Sequence, residues 1–222
     1  MEVYDAMRTT FAARTYTDEA VSDETLNRIL DNARFAPSGG NRQGWRVLVI
    51  KDISIREQLK TVMAPTIQQY KAQAMAGETP FNSVTASNVS QQTIDATSAN
   101  FPLVDDLESA PVLLVICVDL TAVSSFDKDL DRVGIISGAS IYPFVWNILL
   151  AARNEGLGGV LTTFLANREP QAKKILNLPG NIAITSLLAI GKPVKQLTKL
   201  RRKNVEEFAR VDRWDGDPFN PQ

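Results

Sequence analysis

Apolar residues recur along this chain in two rhythms, one suited to helices and the other to strands. Leu26, Ile29, Leu30 and Ala33 fall at helical spacing behind Ser22-Asp-Glu-Thr25, which reads as an N-cap with an acidic first turn. This predicts a helix from about 23 to 35, ended by Pro37. Residues 2–9 read as a short first helix. Ile53 to about Ala76 reads as a longer one, with Pro65 as a break. Unbroken apolar runs predict strands at Val47–Ile50, Pro111–Leu120 and Ile182–Ile190, the second of them central, and Leu161–Leu165 is a further candidate strand. Ser137 to about Asn154 reads as a long buried helix with Pro143 as a candidate kink. Arg168–Leu176 is a short helix stopped by Asn177-Leu-Pro179, and Asn204–Arg210 is the last one. Between Gly77 and about Ser109 the chain turns polar, either a functional lid or a mobile surface insertion. The pattern predicts an α+β sandwich, with a sheet of four or five strands between helices, as a single domain over residues 1–222.

One stretch needs its polar residues weighed against its length. Val133 to Ala152 carries no charge and is long enough to span a bilayer. It also holds Ser137, Ser140, Pro143 and Asn147, so a central buried helix is the expectation and a membrane is not. The formal net charge of −1 gives no electrostatic reason to expect nucleic acid as partner. Cys117 is the single cysteine and sits in an apolar run; no secretory signal pattern opens the chain, and a cytoplasmic place is expected. Histidine is absent, which removes every Ser-His-Asp or Cys-His mechanism. If the protein is an enzyme, a cofactor is expected to carry the chemistry.

The candidate chemistry concentrates in Ala36-Pro-Ser-Gly-Gly-Asn-Arg-Gln-Gly-Trp45, between the 23–35 helix and a strand. Its polar side chains can make many directional hydrogen bonds to a planar polar ligand, and its glycines let backbone approach one closely. The pattern A-P-S-x-x-N-x-Q-x-W resembles the first signature of the nitroreductase family of FMN-dependent enzymes. Similarity to that family places Pro37, Ser38, Gly39, Asn41 and Gln43 around the isoalloxazine and ribityl chain. Trp45 reads as core. Arg42 is left open between the flavin pyrimidine, a second subunit and solvent.

Further segments carry the same resemblance. Gly156-Leu157-Gly158-Gly159 is similar to the family segment whose backbone N–H faces flavin N5. Read alone, it is a helix C-cap followed by a turn. Thr10-Phe-Ala-Ala-Arg14-Thr-Tyr16 resembles the family's phosphate-binding R-x-S-x-[RK]-x-[FY], with Arg14 and Tyr16 in place. Thr10 stands where the first arginine is expected and Ala12 where the serine is, so either Arg8 or Thr10 completes the site. Lys199-Leu-Arg201-Arg202-Lys203 resembles the C-terminal R-x-x-[VL]-x-E, with Arg202 better spaced than Arg201. Guanidinium suits a phosphate dianion because its planar fork donates two bonds. Each of these basic residues, taken alone, reads first as a solvated surface charge.

The resemblance implies a nitroreductase-like sandwich with a mixed sheet, a homodimer, and FMN sites built by both chains. It implies an oxidoreductase that takes hydride from NAD(P)H onto FMN and passes it to a small electron-poor acceptor by a ping-pong mechanism. Other enzymes on the same scaffold stay open, among them enone or flavin reductases, dehalogenases, azoline dehydrogenases and flavin-fragmenting enzymes, as does a non-catalytic flavin-binding protein. No metal site is expected.

Overall fold

The computed structural model describes residues 1–220. Four strands form one sheet: β1 (Trp45–Val49), β2 (Val112–Asp119), β3 (Gly158–Thr162) and β4 (Ile182–Gly191). Their order is β1-β2-β4-β3, and each pairing is antiparallel. This corrects the expected mixed sheet. Among the described residues the parallel contact is an isolated bridge between Ala12 and Gly159. Strand direction is set by the connections, which leave no mark in a strand's own apolar pattern.

β2 is buried along nearly its whole length because helices cover both faces of the sheet. Val112, Leu114, Ile116 and Val118 point to one side and Leu113, Val115 and Cys117 to the other. Each such side chain stabilises the fold by roughly 1.5–3 kcal/mol when fully buried. Between Ile116 and Cys117 the register with β4 shifts, so that Thr185 is an extra residue and donates its hydroxyl to the Ile116 carbonyl at 2.9 Å.

The helices, in chain order, are α1 (Val3–Thr9), α2 (Asp23–Ala33), α3 (Ile53–Met75), α4 (Gln91–Ala96), α5 (Pro102–Asp105), α6 (Tyr142–Asn154), α7 (Glu169–Leu176) and α8 (Val205–Phe208). On one face α2 and α6 pack Leu26, Ile29, Ala33, Val145, Ile148 and Ala152 against the sheet. On the other, α3 and α7 bring Leu59, Met63, Ile67 and Ala172. The Ser22 hydroxyl accepts from the Thr25 N–H, as an N-cap does.

Three expectations change. α3 runs unbroken through Pro65, because Leu59, Met63 and Ile67 are buried on either side of it and hold the axis. The uncharged 133–152 stretch is divided: a 3₁₀ turn at Ile136–Ser140 precedes α6, and Pro143 lies in the first turn of α6, where its missing N–H costs nothing. β3 starts at Gly158, earlier than expected, and the polar 77–109 stretch contains α4, α5 and a 3₁₀ turn at Leu107–Ser109. Among the described residues no helix is long and apolar enough to cross a membrane.

Candidate functional site

The 36–45 loop is held in a conformation that its own sequence resists. Gly40, Asn41 and Gln43 have φ of +61°, +52° and +50°. Asn tolerates the left-handed region because its short amide bonds locally, whereas Gln is not favoured there. Local hydrogen bonds fix the shape. The Ser38 Oγ accepts from the Gln43 N–H at 3.0 Å, and the Gln43 amide donates to Asn41 O and Oδ1 at 3.3 and 3.2 Å. Two neighbours brace it. The Gly39 N–H donates to Ser140 Oγ at 3.0 Å, and Arg42 donates to Ser124 Oγ at 3.2 Å. Trp45 is half-buried and stacks on Phe144 with centroids 4.7 Å apart, in agreement with its core reading.

The second group of residues gathers at an edge of the sheet. Ala13 N–H donates to Gly159 O at 3.1 Å, which lays residues 12–13 along the start of β3. Arg14 is exposed, donates to Ala12 O at 3.3 Å, and lines a small cleft with Tyr16, Asp18 and Ser109. The Tyr16 hydroxyl sits between Ala13 O and Ala189 O, and burial pushes its pKa up. Arg8 is exposed at the end of α1. Thr10 is buried and donates its hydroxyl to Ala6 O at 2.7 Å, so that hydrogen is already engaged inside α1's cap.

Gly158 and Gly159 are strand residues here, not a turn. A Cβ on Gly159 would lie 2.9 Å from Ala189 O and from Leu149 Cδ2, and one on Gly158 would lie 3.1 Å from the Ala13 Cβ. Close packing inside the chain is therefore sufficient to require glycine at 159. Leu157 is buried in the core, and Gly156, at φ +78°, follows the α6 C-cap. Arg201 and Arg202 are exposed, and Arg202 donates to Arg201 O at 2.8 Å. Among the described residues, the hydrogen bonds made by 199–220 stay within that segment.

The two groups lie at opposite ends of the sheet. Gly159 pairs with Ile190, which pairs with Val112, whereas Gly44 accepts from the Asp119 N–H at 2.8 Å. Val112 and Asp119 bound the 8-residue β2, roughly 24 Å at the usual strand rise. α6 repeats the measure: Ser140, which touches Gly39, precedes it and Gly158 follows it, and its 13 residues span roughly 20 Å.

Two concavities stand out, the first of them against the loop. One, of about 560 Å³, is lined by the 37–42 loop together with Ser124, Phe126, Ile136 and Ser140. The other, of about 390 Å³, opens past the C-terminal end of β3 and is walled by Tyr70, Phe81 and Phe164, with Thr66, Thr163 and Asn167 as polar members. Phe164 meets Tyr70 and Phe101 edge to face at 5.3 and 5.2 Å. The aromatic pocket was missed in the sequence because its walls come from α3, the 77–82 stretch and the segment after β3, which only folding unites. Among the described residues no cluster of His, Cys, Asp or Glu could hold a metal. Cys117 is buried, and burial pushes its thiol up to about 11, so it is inert.

Comparison with known proteins adds a lineage to this geometry. A family profile described as the nitroreductase family matches residues 7–192. A protein of Archaeoglobus fulgidus, provisionally named NADH dehydrogenase/NAD(P)H nitroreductase, is 28% identical over 94% of this chain and 87% of its own length. The iodotyrosine deiodinase of Nematostella vectensis is 28% identical over 93% of this chain and 74% of its own. Among solved structures, a BluB-like flavoprotein from Clostridium difficile superposes with a TM-score of 0.70 at 22% identity, over 96% of this chain and all of that one (100%).

Proposed function

The chain belongs to the nitroreductase family, and on that premise we propose that it is an FMN-dependent oxidoreductase working as a homodimer. In this reading NAD(P)H is the electron donor, a small electron-poor molecule such as a nitroaromatic or quinone is the acceptor, and the place of work is the cytoplasm. Relatives named as an NADPH-dependent oxidoreductase and as an NADPH:FMN oxidoreductase support the class of reaction.

The observation that carries the quaternary part is the separation of the two groups. Residues 37–43 and the Arg14–Gly159 edge lie a sheet's length apart, so one cofactor cannot touch both within one chain. Two copies related by a two-fold axis bring the loop of one to the edge of the other. The chain offers apolar surface for such a contact. Tyr142 and Trp146, one turn apart on α6, are 44% and 43% exposed, and Val3, Tyr4 and Met7 on α1 are more so.

The residues suit the cofactor. Arg14 gives a guanidinium fork for the phosphate, with Arg8 nearby in sequence and Arg201 or Arg202 as further candidates. The Asn41 and Gln43 amides and the Ser38 hydroxyl can serve a ring edge that alternates acceptors and donors. The aromatic pocket past β3 gives a planar ring system walls to lie against. Bound FMN would supply the hydride chemistry that no side chain here provides. The protein's part is to hold the ring, exclude water, and seat donor and acceptor in turn on the same face.

A visible absorption spectrum, taken before and after anaerobic NADH or NADPH, tests the reading. A flavin spectrum that bleaches supports it, and a colourless protein that FMN cannot reconstitute overturns it. The shared site has its own test. Arg14→Ala and Asn41→Ala chains, each defective, are mixed and allowed to exchange subunits. Mixed dimers regain one intact site of two, so about a quarter of the wild-type FMN sites return. No recovery on exchange removes the two-chain site.

A further inference from the structure

The loop pocket has a chemical sign of its own. Its lining includes Arg42, Ser38, Ser124 and Ser140 and contains no carboxylate. Among the described residues Arg42 makes no salt bridge; its partner is the Ser124 hydroxyl. The three serine hydroxyls each accept a hydrogen bond, from Gln43 N–H, from Arg42 and from Gly39 N–H. None of the three donates one within the described residues, so each keeps a hydrogen to offer. The pocket is thus lined by donors, beside an apolar wall of Phe126, Ile136 and Ala139.

The acid adjacent in sequence to the lining is buried and bonds to its own turn. Asp127 follows Phe126, but its Oδ2 is taken by Arg132 and by the Ile135 and Ile136 N–H groups. Arg42 lines the pocket between two left-handed residues, Asn41, which tolerates that conformation, and Gln43, for which it costs about 1–2 kcal/mol. A strained backbone that presents a guanidinium with one hydroxyl partner and no carboxylate leaves most of its donors free for a ligand.

The geometry points to Arg42 as a specificity residue that selects acceptors carrying an anion on an aromatic body, a benzoate-like carboxylate above all. This deepens and rests on the flavin reading, because residues 37–43 are the loop that would border the ring. Guanidinium takes a carboxylate through paired N–H donors, the Ser124 and Ser140 hydroxyls supply further ones, and Phe126 and Ile136 cover the aromatic part.

The probes are 4-nitrobenzoate and 4-nitrobenzamide, which differ in charge and not in the group reduced. Each turnover moves two electrons from NAD(P)H and, with a proton from solvent, takes nitro to nitroso and water. In wild type the kcat/KM ratio of benzoate to benzamide should exceed one. Arg42→Gln should lower that ratio about tenfold, and Arg42→Lys should keep most of it. Raised salt should lower the ratio in wild type and leave it flat in Arg42→Gln. An equal ratio in wild type and Arg42→Gln overturns the assignment. So does a tenfold loss of FMN affinity in Arg42→Gln, which would give the guanidinium to the cofactor. Calorimetric titration of benzoate against benzamide needs no turnover. If wild type takes up no flavin, the function reading falls; benzoate binding that requires Arg42 would still uphold this site, and equal binding in the variant would overturn it.

Discussion

The loop at 37–43 and the glycine pair at 158–159 carry equally suggestive sequence signatures, yet folding treats them differently. At the glycine pair the fold already uses what the sequence offers. Gly159 is glycine because Ala189 O and Leu149 leave no room, and the Thr10 hydroxyl bonds to Ala6. At the loop it does not. Asn41 and Gln43 stay in left-handed conformations, and among the described residues Arg42 pairs with no acid and three serines keep hydrogens to donate. Residues that pack well explain themselves. Residues held at a cost, with bonding capacity left over, point outward to something the chain binds.

That contrast can be broken in order of expected effect. Gly159→Val should destabilise the protein by about 3 kcal/mol, since overpacking at a fixed carbonyl allows little relaxation. Denaturant unfolding of the flavin-free protein reads it directly, and a loss below 1 kcal/mol would return this glycine to a purely functional role. Arg14→Ala should weaken FMN binding about 10–100-fold through the loss of a charged hydrogen-bond pair, with little change in the stability of the flavin-free chain. Unchanged affinity in a fluorescence titration would take Arg14 out of the phosphate site.

Gln43→Gly tests the strained side. Relieving a left-handed non-glycine residue should leave stability unchanged or raise it by up to about 1 kcal/mol while turnover falls. A clear drop in stability would show that the Gln43 side chain matters more than its backbone. The smallest effect concerns pH. The Ile135 N–H and then Arg132 hold the Asp127 carboxyl below the usual range. A lowered folded-state pKa stabilises above the ordinary carboxylate range, near pH 4, and that stability is lost as pH falls further. Asp127→Asn should therefore flatten the acid limb of the stability curve. Identical acid limbs in variant and wild type would show that this carboxylate does not anchor the 127–136 turn.

Much of this was readable from the chain, and the failures share a cause. α2 was legible because Ser22 caps it and Leu26, Ile29 and Ala33 recur on one face. β2 and β4 were legible because helices on both sides demand unbroken apolar runs. Pro65 misled because local chemistry was weighed without the tertiary burial of Met63 and Ile67. The glycine pair read as a turn rather than the start of β3, because the crowding that demands glycine there comes from β4 and α6, distant in sequence. Side-chain types announced a flavin loop and a phosphate edge, but their separation at opposite ends of the sheet depends on strand register, which no local pattern records.

The extra residue in β4 bears on how this chain can change length over evolutionary time. Thr185 stands outside the regular ladder, while Ile184 pairs with Cys117 and Ser186 with Ile116. Deleting Thr185 would close the ladder and leave Ile184 and Leu188 on the faces they now occupy. A deletion within 187–190 would instead turn one side of the strand inside out. Among descendants and cousins of this sequence, one-residue gaps in β4 should therefore gather at 185, where lineages can gain or lose a residue without exchanging one core layer for the other.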